Sequence, residues 1–509
     1  MRTKETDLQQ FQLYIGGRSL PAQSGATYES INPYTGKLWA LVPEASIADV
    51  DHAVAAAQAA LDGEWGVMSG FARAALLRRL ADLIPQHAEQ LARFEVADAG
   101  KLYREMIGQL NAVSAWYYYY AGLADKIEGR TIPVASPEYM VYTRREPVGV
   151  VAGITAWNSP LLMLASKLAP ALAAGCTFIV KPSEHSPSST LAFAQIFDQA
   201  GFPPGVFNVV TGSTGAIGAT LVGHHGVAKV TFTGSPAVGR AVASAAGQNL
   251  TAVSLELGGK SPQVVFDDAD LEAAANGVTA GIFAAGGQTC VAGSRLIVQQ
   301  SVERELIERI VERASRIRLG DPNDPETEMG PIANAAQYER ILRYLQVARD
   351  EGATVALGGG PDASLGGFFV RPTVLTGLKP DATVVREEIF GPVLSTLTFA
   401  DESEAVKLAN DTEYGLAAGI WTKDVHRAHR VAARLKAGTV WVNAYRAAGP
   451  SVPFGGFNDS GIGRENGIEG VDEFLQTKSV WVELTGGIRD PFVMGLAKSS
   501  ATPAAETKP

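Results

Sequence analysis

A chain of 509 residues with 46% hydrophobic and 19% charged residues has the composition of a soluble globular enzyme and the length for roughly two to four domains. A formal net charge of −10 argues against nucleic acid or an anionic membrane surface as the main partner, and two cysteines exclude a disulfide framework. No Cys/His spacing suggests a metal, MRTKETDLQQ is too polar for a signal peptide, and the most apolar stretch carries Lys167 and Pro170, so a cytoplasmic protein without a membrane span is expected.

Residues 13–45 hold short strand-like runs punctuated by Gly, Pro and Asn. Ser46 with Asp49 reads as a capping box that opens a helix over 47–62. A second helical region, about 71–122, is rich in Ala, Leu and Glu and ends in WYYYYAG, where Tyr117 to Tyr120 read as helix packing. YMVYTRREP (139–147) reads as an exposed ribbon. Strands and helices then alternate: VGVVAGIT, LLMLASKLAPALAAG, TFIVK, TLAFAQIFDQAG, FNVVTG, AIGATLVGH and KVTFTG. This rhythm, with strands of continuous Val, Ile and Phe, predicts an α/β fold with a parallel sheet covered on both faces. Cys176, in AAGCTF, reads as a packing thiol, and His224-His225 lies in a loop without partners for a metal.

A second α/β region follows. LEAAANGVTAGIFAAGGQT is helical in pattern, and Leu306, Ile307, Ile310, Val311, Ala314 and Ile317 share one face of a helix over about 302–318. FFVRPTVL, GPVLSTLTF and GTVWVN are its candidate strands, and the last dozen residues, 498–509, read as a disordered tail.

In such sheets ligands collect at the carboxyl ends of strands. In TAWNSP, Asn158 either points an amide into a crevice or is a polar turn residue before Pro160. In IVKPSE, Lys181 and Glu184 suit a ligand with several hydroxyls, or form a solvated strand end. In VTFTGSPAVG, Gly234, Ser235 and Gly239 form a turn whose backbone N–H groups could meet a phosphate, though alone it reads as structure. Glu256, in LELGGKSP, lies in an apolar strand, where a carboxylate is either paired or raised in pKa and useful as a base. Cys290, in FAAGGQTCVAGSR, is either an inert buried thiol or a nucleophile given room by Gly286-Gly287.

The joint appearance of these motifs in this order closely resembles the NAD(P)-dependent aldehyde dehydrogenase family, from about residue 12 to 484. ELGGKSP and GQTCVAGSR resemble its two diagnostic active-site motifs, and EEIFGPV (387–393) and PFGGFNDSGIGRENG (453–467) also match. The resemblance implies a Rossmann-like cofactor domain (1–125 and 149–257), a second α/β catalytic domain (258–459), and a small β oligomerisation element (126–148 and 475–490), hence a homodimer or homotetramer. It implies Cys290 as nucleophile, Glu256 as general base, Asn158 with the Cys290 N–H as oxyanion hole, and Lys167 near the site. Cysteine attack on a small-molecule aldehyde would give a thiohemiacetal, then a thioester that water hydrolyses. For the cofactor it implies Lys181 and Glu184 at the adenosine ribose, Ser235 at the pyrophosphate, and Glu388 and Phe390 at the nicotinamide end. Thr155, Trp157, Ser183, Gly215, Phe232, Gly234 and Leu257 complete that set. Glu184 would repel a 2′-phosphate, which favours NAD while leaving NADP possible.

The chain departs from the family at three tunnel positions. Ser159 stands where many members have Phe, Ser166 where many have Trp, and Ala448 where an aromatic is common. With Met163 and Phe454 these are the expected substrate residues, and the small side chains predict a wide tunnel for a bulky, branched or cyclic aldehyde. Arg446 is the residue to watch for an acidic semialdehyde. A CoA-acylating semialdehyde dehydrogenase is the nearest rival, but such enzymes generally lack the base that Glu256 supplies. A non-redox cysteine esterase would leave Lys181, Glu184, Ser235 and Glu388 unexplained. A non-catalytic protein on the same fold is at odds with the presence of both Cys290 and Glu256.

Overall fold

Ser46 caps the first helix as its sequence predicts. Its hydroxyl accepts from Asp49 N at 3.3 Å while the Asp49 carboxylate accepts from Ser46 N at 2.8 Å, and α1 runs over Ile47–Asp62. The computed structural model describes residues 8–487 and 492, so the tail expected at 498–509 lies outside the described residues.

The single helical region expected over 71–122 is two helices, α2 (Gly70–Ala99) and α3 (Tyr103–Ala121). Gly100 ends α2 in the left-handed conformation (φ +67°), and a β-carbon there would lie 2.7 Å from Pro331. Helix formers continue on both sides of this break, so composition does not reveal it. Tyr117 and Tyr120 are buried in the core between these helices and α4 (Pro160–Ala174), as helix packing predicts, whereas Tyr118 is exposed.

The first large sheet has eight strands, in the order Gly461–Ile462, Ala252–Glu256, Lys229–Thr233, Val150–Ile154, Thr177–Lys181, Phe207–Val209, Leu13–Ile15 and Arg18–Leu20. The five from Ala252–Glu256 to Phe207–Val209 are mutually parallel. Successive side chains alternate between faces: Phe178 and Val180 join a core with α2 to α4 and α5 (Ser188–Ala200). Ile179, Val230 and Phe232 join another with α1, α6 (Gly215–Gly223) and α7 (Pro236–Gln248). Because the chain places later strands on both sides of Val150–Ile154, a switch point opens beside its carboxyl end, where ligands bind in such sheets.

The second sheet has seven strands, ordered Thr354–Leu357, Thr373–Thr376, Val393–Phe399, Arg295–Gln299, Pro262–Val265, Ala417–Trp421 and Thr439–Val442. Only its first pair is antiparallel. Of FFVRPTVL, only Thr373 to Leu375 lie in a strand, since Pro372 has no N–H to extend the ladder. α8 (Leu271–Phe283) and α9 (Glu303–Ser315) cover it, and Leu306, Ile310 and Ala314 are buried as the periodicity requires. The helical pattern expected to reach Thr289 stops at Phe283. A tight turn over Ala284–Gly287 follows, with Ala285, Gly286 and Gly287 at φ of 55°, 63° and 69°. A β-carbon on Gly287 would lie 2.2 Å from Gly391 O, so only glycine permits this approach.

The chain forms two compact units, the larger made of residues up to 127 and 146–476. The smaller, 128–145 with described residues from 477 onward, carries a three-stranded sheet in which Tyr139–Pro147, expected as an exposed ribbon, is the central strand. Its Tyr139 meets Trp481 edge-on at 5.7 Å. Among the described residues no helix is long and apolar enough to cross a membrane, and no His/Cys/Asp/Glu cluster could hold a metal ion.

Candidate active site

The loop after Val150–Ile154 and the turn after α8 meet. Asn158, buried just ahead of α4, donates its side-chain amide to Gln288 O at 3.0 Å, two residues before Cys290. On the other side Tyr445 OH donates to Val291 O at 2.9 Å. Between these clamps lies the half-buried Cys290, whose carbonyl oxygen would be 2.7 Å from a β-carbon on Gly259. Burial first, then the carboxylates of Glu256 and Glu388, push its thiol up to about 12, while the Val291 N–H favours the thiolate. The resting thiol is therefore protonated, and a base must accompany its attack. Cys176 is fully buried in the core, the packing role its surroundings predicted.

Glu256 ends its strand and is 5% exposed, with Oε2 lacking a hydrogen-bond partner. Burial, reinforced by Glu465, raises its pKa well above the carboxylate range, against the pull of Lys167 and Arg464. The segment 453–467 folds over this strand end. Gly461–Ile462 pairs antiparallel with Leu255–Glu256, and a β-carbon on Gly455 would stand 2.8 Å from Glu256 Oε1. The same segment delivers Glu465, which the sequence reading left without a role. Glu465 accepts from Lys167 Nζ, and from Ser166 Oγ at 2.6 Å. Lys167 is 1% exposed, so it enters the site as half of a buried ion pair. An acidic residue inside SGIGRENG was the available signal; its partner lies 298 positions away.

The crevice at the switch point fits a dinucleotide. Thr155 Oγ1 and Thr233 Oγ1, beside the carboxyl ends of adjacent strands, are buried without partners. Lys181 is buried, with Nζ 3.4 Å from Glu184 Oε2, and Ser183 Oγ is also 3.4 Å from that oxygen. Burial alone would raise the Glu184 pKa, but the Lys181 ammonium, a backbone N–H and His185 outweigh it and keep the carboxylate ionised. Ser235 caps α7 by accepting from Val238 N, and Gly215 begins α6 with open space where a β-carbon would be, so the positive ends of both helix dipoles face this region. Phe232 and Leu257 belong to the apolar cluster on one face of this sheet, and the Phe232 ring lies 2.4 Å from where a Gly234 β-carbon would be. At the far end Glu388 Oε1 accepts from Gly259 N at 2.9 Å. Burial raises it to about 7, against Gly259, Lys260 and Arg340. Phe390, at φ +58°, meets Trp157 edge-on at 5.3 Å.

Of the expected substrate residues, Met163 and Phe454 are half-buried and Ala448 is exposed. Ser159 Oγ donates to Asn158 O at 2.7 Å, while Ser166 is tied to Glu465. Phe454 and Glu465 exchange backbone hydrogen bonds of 2.7 Å. Arg446, at φ +65°, reaches Ala284 O at 3.5 Å. Two further buried cations escaped the sequence reading. Arg295 donates to Lys260 O, Leu408 O and Ala409 O, and Lys260 Nζ is buried without a partner, its pKa lowered to about 7 mainly by burial.

A sequence profile described as the aldehyde dehydrogenase family matches residues 20–480. A dehydrogenase from Acinetobacter baylyi, named for (Z)-2-((N-methylformamido)methylene)-5-hydroxybutyrolactone, is 46% identical over 96% of this chain and 100% of its own. Two solved structures match with equal clarity. An aldehyde dehydrogenase of Bacillus cereus, solved as its NAD+ complex, has a TM-score of 0.92 and 45% identity over 94% of this chain and 97% of that one. A betaine aldehyde dehydrogenase of Staphylococcus aureus with NAD+ has a TM-score of 0.93 and 40% identity over 94% and 96%.

Proposed function

The chain belongs to the aldehyde dehydrogenase family, and from that premise we propose that it oxidises a bulky or cyclic aldehyde to its carboxylic acid through a thioester on Cys290, hydrolysed by water that Glu256 activates. The observation that carries this reading is the convergence of Cys290, Asn158 and the Glu256 carboxylate, whose Oε2 has no partner, beside the switch-point crevice.

In the first half-reaction the half-buried Cys290 gives its thiol proton to a water molecule acting as base, and Sγ attacks the carbonyl carbon. The Asn158 amide and the Cys290 backbone N–H hold the resulting oxyanion, donors of a kind worth about 2.7–4 kcal/mol each. Lys181, Ser183, Glu184, Ser235, Glu388 and Phe390 would hold NAD, which would supply the hydride acceptor for this oxidation. In the second half-reaction Glu256, protonated at rest because burial raises its pKa, first loses that proton to solvent; ionised, it takes a proton from the water that attacks the thioester carbonyl, and the acid leaves as Cys290 Sγ is released as thiolate. The Lys167–Glu465 pair, beside Glu256, provides a route for that proton outward. The ionised Glu184 supports NAD over NADP.

Small side chains at Ser159, Ser166 and Ala448 support the wide tunnel, and the relatives named for a substituted hydroxybutyrolactone and for betaine aldehyde point the same way. Glu256 favours water over CoA as acyl acceptor. A homodimer or homotetramer in the cytoplasm, assembled through the small β unit, completes the reading. An aldehyde panel followed by NADH absorbance, with NAD and NADP in parallel, tests it. A terpenoid aldehyde or benzaldehyde should exceed acetaldehyde in kcat/KM; the reverse order overturns the bulky-substrate part.

A further inference from the structure

α4 and α5 both start at loops of the crevice, and neither is capped by its own sequence. Ser159, at the N-cap of α4, turns its hydroxyl onto Asn158 O, and Pro187, at the N-cap of α5, has no capping group. The first N–H groups of a helix lack intrahelical acceptors, and one left unpaired in the interior is costly. Here both helices are capped from α2. Glu95 Oε1 accepts from Leu161 N at 3.2 Å and from Ser189 Oγ at 3.3 Å. Asp98 accepts from Ser188 N at 2.9 Å, from Ser188 Oγ at 3.2 Å and from Ser30 Oγ at 2.7 Å. The two carboxylates stand three residues apart on one face of α2, 1% and 2% exposed. Each caps a helix whose preceding loop carries site residues: Asn158 before α4, and Lys181, Ser183 and Glu184 before α5.

We propose that Glu95 is the positioning residue for the Asn158 amide and Asp98 the positioning residue for the Lys181–Glu184 cofactor loop. α2 thus sets both halves of the site without touching substrate or cofactor. The Glu95 part rests on Asn158 serving the oxyanion, which Asn158→Ala tests separately.

Steady-state kinetics on the full chain distinguish these roles from mere support. In Glu95→Ala, kcat should fall about 10- to 100-fold, the scale of a slightly misplaced catalytic group, with the KM for NAD within about twofold of the parent. Glu95→Gln keeps an acceptor for Leu161 N and should recover most of that loss. Asp98→Ala should show the opposite split, the KM for NAD rising about tenfold and kcat changing less. Adding Asn158→Ala to Glu95→Ala should cost much less than it costs the parent, because the displaced amide already contributes little. Unchanged kcat in Glu95→Ala, the same KM rise in both single variants, or full additivity with Asn158→Ala overturns the proposal. If Glu95→Ala does not fold, Glu95→Asp carries the test, since its acceptor is withdrawn by one methylene: a kcat loss at constant NAD KM supports positioning, and an unchanged kcat overturns it. An Asn158→Ala variant with undiminished kcat would sink the oxyanion assignment rather than the cap.

Discussion

Gly455 stands directly against Glu256: a β-carbon at Gly455 would lie 2.8 Å from the carboxylate oxygen Oε1. The glycine of PFGG therefore leaves the base its place at the end of its strand. Gly455→Ala should push Glu256 aside and slow thioester hydrolysis at least about tenfold, leaving acylation in place. Stopped-flow NADH traces check this: a burst near one equivalent per site followed by a slow steady state is expected, and equal loss of burst and turnover refutes it.

The nucleophile and the base separate in the same assay. Cys290→Ala should lose turnover by about 10³-fold or more and show no burst. Glu256→Gln should still form NADH once and then stall. Normal turnover in either variant contradicts its assigned role, and acyl-CoA formation on adding CoA would favour the acylating rival.

Burial beside Glu256 and Glu388 places the Cys290 thiol near 12, so its thiolate fraction keeps rising across the accessible pH range. Without NAD, inactivation by iodoacetamide should accelerate about tenfold per pH unit from 7 to 10 with no plateau. A plateau at pH 8–9 would show an ordinary thiol.

Glu95 makes stability depend on pH. Burial, the largest influence, raises it from 4.5 to about 7 despite its hydrogen bonds. Between those values the unfolded chain has released a proton that the folded chain retains, so this group's contribution falls as pH rises through that window, by about 3 kcal/mol in full. Relative to the parent, Glu95→Gln should gain about 2–3 kcal/mol on going from pH 5 to pH 8 in denaturant unfolding. A difference that does not move with pH contradicts it.

Ala448 is exposed, so enlarging it leaves the core intact. Ala448→Phe should lower kcat/KM for a cyclic aldehyde about tenfold and leave a two-carbon aldehyde within about twofold, the scale of one misfitting group in a pocket. Parallel changes for both substrates would remove Ala448 from the tunnel.

Legibility followed the range of the interactions. The alternation of α4, α5, α6 and α7 with their strands, the Ser46–Asp49 box and the buried face of α9 were all readable, because period and capping act over a few residues. The break at Gly100 was not, because helix formers continue on both sides of its left-handed turn, and the contact with Pro331 that also excludes a β-carbon there comes from 231 positions on. That Phe232 packs in the same apolar cluster as Ile179 and Val230 was not readable either, because a strand residue's face follows from sheet register.

By itself the sequence determined the α/β class, the order of the motifs, and the residues offered as nucleophile, base and amide. These are matters of local pattern and residue chemistry. Only the tertiary structure decided that Glu465 pairs with Lys167 beside Glu256, that Gly455 makes room for that base, and that Glu95 and Asp98 cap the helices behind the site. Such pairings join residues far apart in the chain, and they exist only where packing excludes water and leaves each buried charge or N–H one neighbour to satisfy it.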